Sequence, residues 1–143
     1  MHITKYTDYS VRILIYLAVH GGELCTISDI AKSYNISKNH LMKIVQELNT
    51  KGYLTAIRGK NGGLRLLGAP ADINLGKLIR KIEGETNLVE CFGSDNQCVI
   101  TECCQLQHIF AEAQQSFYRT LEKYTLQDLI EGETLVGLRK LLL

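Results

Sequence analysis

The stretch Gly59-Lys60-Asn61-Gly62-Gly63 most constrains the fold of this chain. Four residues that tolerate positive φ, Gly59, Asn61, Gly62 and Gly63, stand with Lys60 between two short runs of strand-forming residues, Tyr53–Arg58 and Leu64–Leu67. That pattern predicts a hairpin with a basic tip carrying Arg58, Lys60 and Arg65. A lone two-stranded hairpin is marginal in water and must lie on something larger. What precedes it is helical. Thr7 or Asp8 is placed to cap a first helix, in which Val11, Leu14, Ile15, Leu17 and Ala18 recur at helical spacing until Gly21-Gly22. Thr26-Ile27-Ser28-Asp29 opens a second helix with Ile27, Ile30 and Ala31 facing inward. Tyr34-Asn35-Ile36 turns the chain, and Ser37 caps a third helix with Leu41, Ile44, Val45 and Leu48 on one face. Lys51-Gly52 ends it.

Helix, short turn, helix, then a basic-tipped hairpin is the order of a winged helix-turn-helix. The fold class expected is therefore mainly α with a small β-hairpin wing. One helix fits a DNA major groove, where polar side chains near its N-terminus reach base edges. Asn39, His40 and Lys43 are the candidates for base contacts, and Ser37 and Lys38 for phosphates. Arg58, Lys60 and Arg65 would follow or enter the neighbouring minor groove. The charge distribution agrees. Residues 1–66 hold nine Lys/Arg and four Asp/Glu, a balance of +5; residues 67–143 hold seven and eleven, a balance of −4. A polyanionic partner is expected for the first half only. Basic hairpin tips also serve simply to protect sheet edges, so the combination carries the reading rather than either part.

Beyond the hairpin, Ala69-Pro70-Ala71-Asp72 leads to a fourth helix around Leu75 to Ile82. A long helix is expected from about Gln105 to Tyr124, with Ile109, Phe110, Ala113, Phe117, Leu121 and Tyr124 as its apolar stripe. Thr125-Leu126-Gln127-Asp128 has the form of a capping box for a short final helix, and the tail from Leu135 to Leu143 is apolar. The expected organisation is a DNA-binding domain over 1–83, a loop over 84–104, and a dimerisation helix with its tail over 105–143.

The loop is chemically distinct. Cys91, Cys98 and Cys104 lie close together in a polar stretch containing Gly93, Asp95 and Asn96, a poor way to build a core. Thiolates are strong ligands for soft metals and iron–sulfur clusters. No secretory signal is evident at the start. The most apolar early stretch, Val11 to Val19, contains Arg12 and is too short to span a bilayer. A cytoplasmic setting is expected, where five cysteines stay reduced and read as metal-binding or redox-active. A zinc site built from the three cysteines with His108, a plain thiol switch, and an electron carrier are the competing chemical readings. No Ser/His/Asp constellation or phosphate loop suggests an enzyme. Cys25 reads as a small buried hydrophobe.

Three further stretches carry a resemblance. The opening from His2 to Arg12, the wing Arg58-Gly59-Lys60-Asn61-Gly62-Gly63-Leu64-Arg65-Leu66, and the loop ending Cys98-Val99-Ile100-Thr101-Glu102-Cys103-Cys104 resemble the Rrf-type iron–sulfur winged-helix repressors, the nitric oxide sensors among them in particular. The likeness spans essentially the whole chain. It implies a homodimer on a palindromic double-stranded DNA operator, with one iron–sulfur cluster per subunit, 4Fe–4S or 2Fe–2S, and nitric oxide as the effector. On this resemblance Cys91, Cys98 and Cys104 match the ligand cysteines, and Cys103 is a bystander. Asp8 stands where a partner subunit supplies the fourth ligand. His108 is the alternative, but it lies four residues after Cys104, whereas a family member that senses cluster supply has its histidine three after. One helical residue turns a side chain by about 100°. A regulator sensing cluster supply or redox state through a 2Fe–2S centre is the second reading.

Overall fold

The first helix of the computed structural model, which describes residues 2–84 and 86–143, begins earlier than its sequence suggests. α1 spans Lys5–Val19 and its N-cap is Thr4, whose Oγ1 accepts from the Thr7 N–H at 3.3 Å. Thr7 and Asp8 are thus first-turn residues rather than caps. Two threonines precede the apolar run, and the earlier one has the extended backbone that a cap needs. Ile13, Leu14 and Leu17 from α1 lie at the centre of the core.

α2 (Ile27–Tyr34) starts at the capping box that Thr26 forms with Asp29. Asn35 closes it in the left-handed region at φ 52°. α3 (Lys38–Thr50) buries Leu41, Ile44, Val45 and Leu48 against α1 and α2. Ser37 occupies its N-cap without a side-chain capping bond. Two tyrosines fasten these helices. Tyr6 of α1 donates its hydroxyl to Glu47 of α3, and Tyr34 of α2 donates to the Arg12 carbonyl at 3.0 Å.

The hairpin pairs β1 (Leu54–Ile57) with β2 (Gly63–Leu66), antiparallel, with Leu54 opposite Leu66 and Ile57 opposite Gly63. Both strands are shorter than the runs that announced them. Tyr53 instead donates its N–H to Leu48 at the end of α3, and Arg58 already belongs to the turn. Gly62 is obligatory there, since a Cβ would overlap the Ile57 carbonyl. Cys25 extends the hairpin: its N–H donates to the Leu64 carbonyl at 2.9 Å and its carbonyl accepts from the Leu64 N–H at 2.7 Å. The wing is thereby stitched to the segment entering α2.

α4 spans Leu75–Glu83, α5 Gln105–Leu121 and α6 Gly132–Leu142. α4 and the C-terminal part of α5 meet closely. Gly76 lies against the Glu122 backbone so tightly that a Cβ would collide with it. Arg80 lies 4.2 Å from the Tyr118 ring centroid, Leu75 donates to the Tyr124 carbonyl at 3.0 Å, and Asn74 donates to that of Glu122 at 2.7 Å. These bonds end α5 at Leu121 rather than Tyr124. Only one arm of the Thr125–Asp128 box forms: the Asp128 carboxylate accepts from the Thr125 N–H at 2.6 Å and from its hydroxyl at 3.0 Å. The Asp128 N–H donates to the Thr125 carbonyl, a single 3-10 turn follows over Gln127–Leu129, and the final helix starts only at Gly132. α6 returns Leu142 to the core beside α1.

A candidate DNA-reading face and cysteine cleft

Ser37, Lys38, Asn39, His40 and Lys43 are all solvent-exposed on the N-terminal part of α3, opposite its buried apolar face. Arg58, Lys60 and Arg65 are exposed on the wing. Among the described residues none of these five cations forms an ion pair; the salt bridges lie elsewhere, at Arg12–Asp8, Lys51–Glu47 and Arg80–Glu122. Unpaired cations beside an exposed polar helix start form a surface ready to neutralise phosphates. His40 is not free-standing. Its ring meets Tyr9 of α1 edge-on, with centroids 5.2 Å apart.

Tyr9 leads back to Asp8. The Arg12 guanidinium holds Asp8 in a two-pronged grip, Nη2 to Oδ2 at 2.7 Å and Nε to Oδ1 at 3.2 Å. The same guanidinium lies 5.5 Å from the Tyr9 centroid and 6.0 Å from that of Tyr34. Both members of the pair are over two-fifths exposed, so the pair itself stabilises the fold little. Its effect is orientation: a forked donor fixes the plane of the carboxylate.

The three sequence-singled cysteines come together on one feature. Cys91, Cys98 and Cys104 border a cleft of ≈ 200 Å³ at the start of α5, walled by Val89, Ile100, Leu106 and Phe110. All five cysteines are free thiols. Cys103 is exposed and outside that cleft, its thiol turned to the Ile100 carbonyl at 3.5 Å. Cys25 is buried, and burial pushes its thiol up to about 11, with Asp29 and Glu23 adding to the effect. Among the described residues no three His, Cys, Asp or Glu side chains are drawn together at metal-holding spacing. Neither Asp8 nor His108 lines the cleft within this chain, and His108 is exposed. The donor set nevertheless fits an iron–sulfur group: three thiols outside any disulfide, apolar walls and, among the described lining residues, no carboxylate except Glu90, which accepts from the Gln97 N–H at 2.7 Å.

Sequence reasoning passed over the residues that hold this segment. Gln107 donates to the Cys91 carbonyl at 3.2 Å and Gln114 to that of Thr86 at 2.9 Å. Nothing in the pattern of polar residues on α5 singled these two out. The expected apolar stripe of α5 also behaves differently. None of its six residues is buried; the buried residue of α5 among those described is Tyr118, outside the stripe, while Ile109 of the stripe and Leu106 beside it are more than half exposed.

A family model described as an iron-dependent transcriptional regulator, Rrf2, matches residues 3–132. This chain belongs to the Rrf2 family. Over 144 residues the Rrf2 chain is 50% identical to the HTH-type transcriptional regulator NsrR of Bacillus licheniformis, covering 99% of each. It is 49% identical to NsrR of Bacillus subtilis, over 93% of this chain and 92% of that one. Among solved structures, CymR, the global cysteine regulator of B. subtilis, superposes with a TM-score of 0.71 at 27% identity, covering 90% and 95% of the two chains. The Rrf2 chain is a DNA-binding transcriptional regulator, not an enzyme, with the winged-helix architecture of that family. No helix among its described residues is long and apolar enough to cross a membrane.

Proposed function

We propose that this Rrf2 regulator is a homodimeric repressor that senses nitric oxide through an iron–sulfur cluster. The observation that carries the reading is that Cys91, Cys98 and Cys104, none of them in a disulfide, all border one cleft that Cys103 does not line. The likeness to regulators named NsrR supports it. Residues 1–83 read DNA, 84–104 bind the cluster, and 105–143 dimerise, the last supported by the exposed Leu106 and Ile109 on α5. Ser37 and Lys38 hold phosphates, Asn39, His40 and Lys43 face bases, and Arg58, Lys60 and Arg65 follow the minor groove of a palindromic operator.

Cys91, Cys98 and Cys104 would hold the cluster, with Asp8 of a second copy as fourth ligand. The bound cluster would supply an iron open to nitric oxide at the corner that lacks a thiolate. The chain's own task is to aim Asp8. Arg12 does so by its two-pronged grip, and the contact of Arg12 with Tyr9, and of Tyr9 with His40, links that aim to the reading helix. Two reading helices must match successive major grooves about 34 Å apart, so a small change in their spacing costs specific affinity.

The test is operator binding by anaerobically reconstituted protein, titrated with nitric oxide while visible absorbance is recorded. Loss of binding in step with bleaching is expected. Binding indifferent to both would overturn the reading.

A further inference from the structure

Glu83, the last residue of α4, has no part in the reading above, yet it grips the start of α1. Its Oε1 accepts from the Thr4 N–H and from the Thr4 hydroxyl, both at 2.9 Å. Thr4 is the N-cap of α1, so a carboxylate 79 residues away holds the cap. Burial works against ionisation of Glu83, but hydrogen bonds from Thr7 and Thr4 outweigh it and keep the carboxyl below its usual range. An anion at this end of a helix is also favoured by the helix dipole. Asp8 hangs directly from this cap: its N–H donates to the Thr4 carbonyl at 3.0 Å. On its other side Glu83 runs through Gly84 into the segment that ends at Cys91. Little packing reinforces the contact. A cavity of ≈ 240 Å³, lined by Glu83 with His2, Ile3, Leu88, Phe117 and Tyr118, lies against it.

We infer that Glu83 is a positioning residue for Asp8. It fixes the Thr4 cap, and through it the angle at which the first turn of α1 presents Asp8 to a cluster on a second copy. It does so from the helix end that leads into this chain's own cysteines. This rests on the reading of Asp8 as fourth ligand. The start of α1 and the end of α4 then share one fastener.

The experiment compares wild type, Glu83→Ala, Glu83→Gln, Asp8→Ala and the Asp8→Ala/Glu83→Ala double variant. Two quantities are read: amide exchange at Asp8 in the cluster-free chain, and the rate of the first nitric oxide step in the reconstituted protein. Glu83→Ala is expected to raise both by about tenfold, the size of one lost charge-assisted bond. Glu83→Gln keeps an oxygen acceptor and is expected to stay within about threefold of wild type. The double variant is expected to react no faster than Asp8→Ala alone, because Glu83 acts through Asp8. Wild-type behaviour of Glu83→Ala in either quantity would overturn the inference while Asp8→Ala still reacts abnormally. So would an undiminished Glu83→Ala increment on the Asp8→Ala background. A wild-type rate for Asp8→Ala would instead remove the ligand reading, and the positioning role with it.

Discussion

At the scale of single residues, the five cysteines separate by environment. Cys25 is buried and its thiol is pushed up to about 11, whereas Cys98 and Cys103 are exposed. Alkylation of the cluster-free chain at neutral pH is therefore expected to label Cys98 and Cys103 first and Cys25 only on unfolding; peptide mapping by mass spectrometry checks the order. In the reconstituted protein, Cys91→Ala, Cys98→Ala or Cys104→Ala is expected to abolish the visible absorbance, while Cys103→Ala and Cys25→Ala leave it. A colourless Cys103→Ala protein would sink that ligand set. Asn35 is the one non-glycine residue at positive φ among those described. Replacing it with Val should cost about 1–2 kcal/mol and replacing it with Gly little, as measured by denaturant midpoint.

At the scale of elements, helix contacts rest on close approach and on a few polar ties. Gly76→Ala forces a methyl into the Glu122 backbone and should cost about 1–3 kcal/mol, seen as a lowered melting temperature. Tyr6 joins α1 to α3 through Glu47, whose carboxyl is held below its usual range first by the Tyr6 hydroxyl and then by Lys51. A carboxyl depressed in the folded state stabilises above its ordinary range, and that contribution is lost as pH falls through it. Tyr6→Phe should therefore cost about 1 kcal/mol at neutral pH, with the difference from wild type shrinking as pH falls below the ordinary carboxylate range, as read from denaturant midpoints at several pH values. Element type was legible wherever apolar period and turn chemistry agreed, as in α2, α3 and the wing. The ends were less so. The first cap was placed at Thr7 or Asp8, whereas Thr4 takes it, helped by a grip from Glu83 that lies far along the chain. The Thr125–Asp128 pair was visible too, but its neighbours are fixed by bonds to α4's side of the fold, the Leu126 N–H donating to the Ile73 carbonyl and the Leu75 N–H to that of Tyr124.

At the scale of the whole molecule, charge is divided as the sequence divides it. Among the described residues Lys38, Lys43, Arg58, Lys60 and Arg65 stay unpaired on α3 and the wing, while the paired cations, Arg12, Lys51 and Arg80, lie outside that set. Removing Lys60 should weaken binding to all DNA sequences alike and reduce the salt slope by about one, as read from fluorescence anisotropy at several salt concentrations. The three thiols could be listed from the sequence because thiols in a polar loop have few other uses. Glu83, Gln107 and Gln114 could not, because each is an ordinary polar residue whose role depends on a distant backbone atom. The bridge between Cys25 and Leu64 has one more consequence. Both residues are buried, and each donates one backbone bond to the other, so their amides should be released to solvent only when the whole domain opens. Lys60 and Asn61 at the tip are exposed and lie outside both strands. The wing is a fixed rail with a loose end: its flanks cannot be steered independently of the helices they are sewn to, and whatever adjusts to the contour of a given stretch of duplex must be the tip alone.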